Sequence, residues 1–429
     1  GGGGGSLTAI ASGTLANGTL VVVNADGTVS AVSSTTSAAV ASAVAYESSG
    51  TIDRGRAAYD PDNNKVLVVY ENASDRGYAV VGTISGSTIS FGTPVDINNN
   101  NYTYNSDIAY DTVNNKFLVT MQDGANSYKI AGKVLTVSGS SISVGSTTVL
   151  ANVTCYRTRV KYDSNAGKFL VVYHNQNNDI DSVVATISGT SVSAGSVATV
   201  YSSSNDPHHE IVYDSTAQKL VVAYRSNHSS NGGKPQAKVA TISGTSVSYG
   251  SALELSSDAA TNLVLSYDTV ASKVLIAYNN DTDSTVEACV GTISGTSITK
   301  GATATINSDI DNLSLVYDAT ATNHVLVGRN VSNSQYISQA IGTISGTSVT
   351  FGSVSVLESA AYSYTHVIHD PDTSQLIAIG TFGSSGAKAI VFNNAYTLNK
   401  LTAENFVGIS DGAYSNGATA TIQTAGSTD

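Results

Sequence analysis

Seven near-equal steps constrain what this chain can fold into. A Tyr-Asp pair, with a His-Asp variant in the last copy, recurs at Tyr59-Asp60, Tyr110-Asp111, Tyr162-Asp163, Tyr213-Asp214, Tyr267-Asp268, Tyr317-Asp318 and His369-Asp370. The step is about fifty residues, the range of a propeller blade or a solenoid unit. A unit this small cannot bury its own apolar face, so the copies have to stack.

In the third copy, apolar alternation places strand A at Arg159 to Tyr162 and strand B at Lys168 to Tyr173, with strand C at Ser182 to Ile187 and strand D at Ser191 to Gly195. Asp163 opens the A-B turn, where its carboxylate accepts from backbone N–H groups ahead and Asn or Gly takes the left-handed position. The C-D turn, Ser-Gly-Thr or Ser-Gly-Ser, occurs six times, at Gly86, Gly139, Gly189, Gly244, Gly295 and Gly346. The seventh unit runs through strand B (Leu376 to Ile379) and strand C (Ala387 to Phe392) without that turn, whereas Ala41 to Glu47 reads as a strand D with nothing ahead of it. Joined, the two ends complete one blade and leave no free edge. The expected fold is all-β, a seven-bladed β-propeller of four-stranded blades closed by an N-terminal strand. The expected boundaries are a linker and β-hairpin segment over 1–40, the propeller over 41–395, and a C-terminal β segment over 396–429 that attaches to further chain or to neighbouring subunits.

Composition agrees. Charged residues are 12% of the chain, with no Trp, one Met, 39 Gly and 23 Tyr, so Ser, Thr and Asn supply the polarity and favour strands and turns over helices. A net charge of -12 without a basic stripe argues against a nucleic-acid partner. No apolar run reaches the roughly twenty residues of a membrane-spanning helix. Cys155 and Cys289 fall in different repeats and read as separate buried thiols. The opening Gly1 to Gly5 has linker composition, and with no initiator Met the chain reads as a segment of something longer.

No GxSxG, HExxH, P-loop or dinucleotide fingerprint occurs, so neither cofactor nor metal is expected. Asp206-Pro207-His208-His209-Glu210 has metal-ligand residue types without a metal-ligand spacing. The acidic runs Asp60-Pro61-Asp62-Asn63, Asp281-Thr282-Asp283 and Asp309-Ile310-Asp311-Asn312 lack the glycine and distal Glu of a calcium loop, and fit turn chemistry better.

The parity of a four-stranded meander sorts the loops. A-B and C-D turns share one face and repeat closely; B-C and D-A connections share the other and differ in every copy, which is where binding is expected. The residue three before each Tyr or His alternates away from the apolar positions and should line the channel: Arg56, Asp107, Arg159, Glu210 and His366, with Val264 and Ser314 completing the ring. Compensating charges in a water-filled channel are one reading, a ligand site at its mouth the other. On the variable face, Tyr102, Tyr104, Tyr156, Tyr362 and Tyr364, beside Arg157, His208 and His209, form a candidate glycan surface, because a tyrosine ring stacks on a sugar while its hydroxyl hydrogen-bonds.

The repeat Val-x-Thr-Ile-Ser-Gly-Thr-Ser-Val-Ser-x-Gly-Ser, as at Val239 to Ser251, combined with Tyr-Asp-(four residues)-Lys-(apolar run)-Tyr, resembles the propeller-like repeats of tail-fibre and other virion proteins of bacteriophages, especially marine ones. The segments Ala11 to Gly18, Asn24 to Val29 and Leu401 to Gly408 also resemble phage structural proteins. The resemblance implies an extracellular virion appendage, homo-oligomeric within a fibre, that binds host cell-surface polysaccharide without being an enzyme. A purely structural fibre or surface-layer role, and a glycan-cleaving propeller using Asp107 or Glu210, are the alternatives.

Overall fold

The computed structural model describes residues 6–15, 17, 20–24, 27–31, 33–48, 53–202, 208–226, 232–381, 386–394, 396–399, 406–410 and 412–423. Gly1 to Gly5, the turn residues Ala25-Asp26, the Asp206-Pro207 pair, most of the loop between Ser226 and Lys234, and Leu401 to Asn405 lie outside them. Two compact units emerge, one from 40–393 and the other from 1–39 with 394–429.

The larger unit is a seven-bladed propeller. Blade 1 comprises strands A to C at Asp53–Asp60, Lys65–Glu71 and Gly77–Ser85, and strand D in two pieces, Thr88–Phe91 and Val95–Asp96, both paired with strand C. Single-piece strands D were expected; in the first six blades the x-Gly-Ser or equivalent step after the first piece breaks them in two. Blade 7 has Thr365–Asp370, Gln375–Thr381 and Ala387–Asn393, and Val44–Glu47 fills its strand D through Ala387↔Glu47 and Ala389↔Val44. The Ala41 N–H donates to the Val391 carbonyl in the same ladder. Blades 2 and 3 share one long strand, Thr148–Asp163, which pairs with its own blade at Ala131↔Val149 and with the next at Arg159↔Val172.

The core is divided into seams. In blade 1 the strand-B residues Val66 to Tyr70 are fully buried, because strand B is covered on both faces, and its sequence is continuously apolar for that reason. One cluster joins Leu67 and Val69 to Ile108 and Phe117 of blade 2, and another joins Val68 and Tyr70 to Tyr46, Ile377 and Ala389 across the closing seam. Burying a side chain of this size contributes about 2 kcal/mol, so the non-covalent clasp is held by the same physics as any other seam.

On the turn face each repeat residue has one task. All seven aspartates accept two backbone N–H groups of their own A-B turn; Asp163, for example, receives Asn165 and Ala166 at 3.0 and 2.9 Å. The left-handed position is Asn or Gly in three copies, as expected, but Gln218, Ser272, Thr322 and Ser374 occupy it in the others. The paired Tyr reaches back to the preceding blade: Tyr110 to Asp62 and Tyr267 to Thr216, both at 2.6 Å, and Tyr59 to Asp372 across the closing seam at 2.6 Å. His369 keeps the same reach, its Nε2 lying 3.3 Å from Asp318. All six C-D glycines sit at φ between 59° and 62°, the conformation for which glycine is needed.

A second set of glycines serves the strand-D breaks. A Cβ on Gly195, Gly250 or Gly301 would stand 1.8 Å from the carbonyl of Thr245, Thr296 or Thr347, each in the C-D turn of the next blade. Blade 7 has no such turn, and the equivalent Gly352 would meet nothing nearer than 3.9 Å.

The smaller unit contains a five-stranded antiparallel sheet with Leu20–Val23 paired to Val29–Ala31 as the expected hairpin, beside Phe406–Ser410, Thr419–Gln423 and Ser6–Ile10. Ala11, Leu15, Val21, Val29, Ala420 and Ile422 form its core.

Candidate functional site

Strand A lines the centre of the ring. Arg56, Asp107, Arg159, Glu210, Val264, Ser314 and His366, one from each blade, bound a single cavity of about 530 Å³. Their charges interlock: Arg159 Nε donates to Glu210 at 2.8 Å, the Val160 N–H donates to Asp107 at 2.8 Å, and Arg56 Nε stands 4.0 Å from the other Asp107 oxygen. Burial pushes the Asp107 carboxyl up despite the two arginines. Glu210 is equally buried, but Arg159 and Arg56 outweigh that and hold its carboxyl down. His366 Nε2 faces the Ala57 carbonyl at 3.2 Å while Nδ1 faces Arg56 and Ser314 at 3.2 and 3.3 Å, so Nδ1 is the acceptor. Burial, then the Arg56 charge, lowers this imidazole to about 3.

Toward the loop face the channel opens into a mouth of about 380 Å³, walled by Asn105, Arg157, His208, Asn262, Asn312 and Tyr364. Each of these lies five residues before its Tyr or His369. Register breaks in strand A fall beside Asn105, Asn262 and Asn312, whose φ angles are 55°, 48° and 48°. A bulge re-aims a side chain, and Asn tolerates the left-handed turn it needs.

Beside the mouth, between the loops of blades 1 to 3, lies a cleft of about 580 Å³ lined by Glu71, Asp75, Tyr104, Asn105, Gln122, Tyr128, Thr154 and Tyr156. Its aromatic floor is built in layers. Arg76 sits 4.1 Å above the Tyr102 ring, Tyr102 stacks on Tyr104 at 6.2 Å with 5° between planes, and Tyr104 meets Tyr128 at 6.1 Å. Tyr102, Tyr128 and Tyr156 are 43%, 39% and 47% exposed, unusual for rings that have partners available. The Tyr104 hydroxyl donates to Asp75 at 3.1 Å, and burial together with that bond pushes it up to about 12.

Of the residues expected on this surface, Tyr104 and Tyr156 line the cleft, Tyr102 backs it, and Tyr156, Arg157, His208 and Tyr364 line the mouth. Two expectations are corrected. His209 is buried, its Nε2 3.2 Å from the Val172 carbonyl, because it lies one residue from channel-lining Glu210 and so points between blades. Tyr362 is buried with its hydroxyl on Glu358, in a space left by Gly380, where a Cβ would stand 2.4 Å from the ring. Tyr128, Glu71, Asp75, Gln122 and Thr154 were not anticipated; for Asn262 and Asn312, spacing from the Tyr was the available signal.

The acidic runs are occupied structurally. Asp60 caps its turn, Asp281 pairs with Arg225 at 3.1 Å, and Asp311 makes a two-point contact with Arg329. Cys155 and Cys289 are separate buried thiols.

This architecture is that of a β-propeller. No family model matches the sequence, and no curated protein does. Among solved structures, a protein from Lactobacillus plantarum is similar with a TM-score of 0.51 and 12% identity, covering 78% of this chain and 87% of its own. The Cps50 (Swd1) β-propeller domain of Myceliophteria thermophila gives 0.47 at 9% identity, over 82% of this chain and 99% of that one, and AofleA from Arthrobotrys oligospora gives 0.46 at 11%, over 74% and 90%. At such identities the likeness extends to the fold alone.

Proposed function

We propose that this chain is a non-enzymatic adhesive propeller of a virion fibre or appendage, which holds host-surface polysaccharide in the tyrosine-lined cleft of its loop face. The cleft carries the reading: the half-buried Tyr104 ring, held between Tyr102 and Tyr128, and the exposed rings of Tyr128 and Tyr156 border the acceptors Glu71 and Asp75 and the amides Asn105 and Gln122. Flat apolar faces beside polar groups match a sugar ring and its hydroxyls, and the volume lies within the range of small-ligand sites. The virion setting, the homo-oligomeric fibre and the extracellular location rest on the resemblance of the Val239 to Ser251 repeat and of the terminal segments.

A glycan-cleaving role for Asp107 and Glu210 finds less support. Asp107 is committed to the Val160 N–H and Arg56, and Glu210 to Arg159 and the Ile211 N–H, whereas general acid and base work needs a carboxyl presented to substrate.

A glycan array and whole-cell binding with the full chain test this reading. Binding that Tyr104→Ala or Tyr156→Ala weakens at least about tenfold, with polysaccharide chain length unchanged on incubation, is expected. Absence of binding to any glycan or cell defeats the adhesive claim, and shortened chains defeat the non-enzymatic one.

A further inference from the structure

The tyrosine cleft is acidic and short of donors. Among the described residues its lining holds two carboxylates, Glu71 and Asp75, and no Lys, Arg or His. Three of its donors are spent inside the protein: the Tyr104 hydroxyl on Asp75 at 3.1 Å, the Asn105 amide on Gln122 Oε1 at 3.4 Å and the Thr154 hydroxyl on the Ser127 carbonyl at 3.4 Å. Among the described residues the half-buried Asp75 carboxylate accepts that one hydrogen bond, whereas an ionised carboxylate has about four lone-pair sites. A ligand that matches this wall brings N–H donors and positive charge.

The rings favour the same sign. A tyrosine face attracts a cation, and the outer ring of the stack already carries one, the Arg76 guanidinium 4.1 Å over Tyr102. Arg76 itself is not in the cleft lining. Tyr128 is held at φ 59°, uncommon for so bulky a residue, with its N–H on the Asp123 carbonyl at 2.8 Å and its ring 39% exposed. Strain of this kind persists where the surroundings enforce it, and it gathers at ligand clamps. The channel arginines line the neighbouring mouth, whereas Asp75, Tyr104 and Tyr128 line the cleft alone.

We propose that the cleft holds the protonated amino group of an amino sugar, so that the polysaccharide it takes is one whose amines are free and not acetylated. The claim rests on the cleft reading above and adds the class of polysaccharide: cationic. The ammonium donates to Asp75 and lies against the rings of Tyr104 and Tyr128. A primary ammonium has three N–H donors and uses acceptors that a quaternary one would leave unpaired.

Two matched pairs test it by titration calorimetry on the full chain: chitosan oligomers against the same oligomers N-acetylated, and a galactosamine polymer against its N-acetylated form, at a pH where the amines are protonated. In at least one pair the free amine should bind about tenfold or more tightly, and that ratio should shrink as salt screens the charge. Asp75→Asn keeps the shape and an acceptor for Tyr104, and should bring the ratio toward one. Tyr128→Leu, which tests the same subsite if the first variant does not fold, should lower it by about threefold. Equal or tighter binding of the acetylated forms, or a ratio unchanged in a folded variant, overturns the cationic subsite and leaves the cleft reading in place. Failure of all four to bind, with another glycan bound in a way that Tyr104→Ala weakens, does the same. Absence of binding to any glycan, by contrast, removes the cleft reading itself.

Discussion

The two faces of the ring are made by opposite uses of the same repeat. On the turn face, equivalent positions meet the same need: aspartate for two turn amides in all seven copies, tyrosine or histidine toward the preceding blade, and glycine for the left-handed C-D corner in the six copies that have one. On the loop face, equivalent positions hold Asn105, Arg157, His208, Asn262, Asn312 and Tyr364. Where the repeat agrees with itself its residues answer to folding; on the loop face the fold asks only for Asn at the three bulged positions, and Arg157, His208 and Tyr364 stand where no such demand recurs. Substitutions should therefore separate: stability on one face, binding on the other.

The channel between the faces should give the largest effect. His366 is held neutral down to about pH 3 by burial and the Arg56 charge, whereas an unfolded imidazole takes a proton near pH 6.5. The unfolded state therefore binds more protons in that window, and stability present above about pH 6.5 is lost as pH falls. His366 alone contributes on the order of 5 kcal/mol over the window, and buried His209, also lowered, adds to the loss. Denaturant melts at stepped pH should show it, with a shallower slope in His366→Gln; an identical slope would assign the acid sensitivity elsewhere.

Next comes the turn-face rim. Gly250→Ala forces a methyl against the Thr296 carbonyl, and overpacking of this kind costs about 3 kcal/mol; thermal melts should resolve it easily. Asp163→Ala leaves two turn amides without their acceptor and should cost about 2 kcal/mol with glycan affinity unchanged, measured by melts and titration on the same sample. On the loop face the balance should reverse: Tyr102→Ala, with its ring 43% exposed, should cost under about 1 kcal/mol of stability while weakening glycan binding. The smallest effect is the internal control, Gly352→Ala, which meets nothing nearer than 3.9 Å and should shift stability by less than about 0.5 kcal/mol. Equal losses at Gly250 and Gly352 would refute the blade-to-blade account of these glycines.

Much of this was legible because repetition turns one chain into its own comparison set. The missing seventh Ser-Gly-Thr announced the donated strand that Val44–Glu47 provides, and alternation before each Tyr located the channel ring. The same alternation, extended one residue, places His209 between blades, yet its neighbours His208 and Glu210 disguised it as part of a polar cluster. The strand-D breaks were hidden because the requirement at Gly195 or Gly250 comes from a carbonyl about fifty residues later. The cleft was only half visible: Tyr104 and Tyr156 stand out, but Tyr128, Glu71 and Asp75 arrive from separate loops whose meeting no local pattern encodes.

The borrowed strand also gives the ring a mechanical character. Val44–Glu47 runs antiparallel to Ala387–Asn393, and the Ala41 amide bonds to the Val391 carbonyl, so the two strands leave the propeller at the same end of their shared ladder. Tension applied between those exits loads the hydrogen bonds one rung at a time, as a zipper is opened, and does not shear them together. The clasp that buries apolar side chains like any other seam is thus the place where a pull between the two exits meets hydrogen bonds singly.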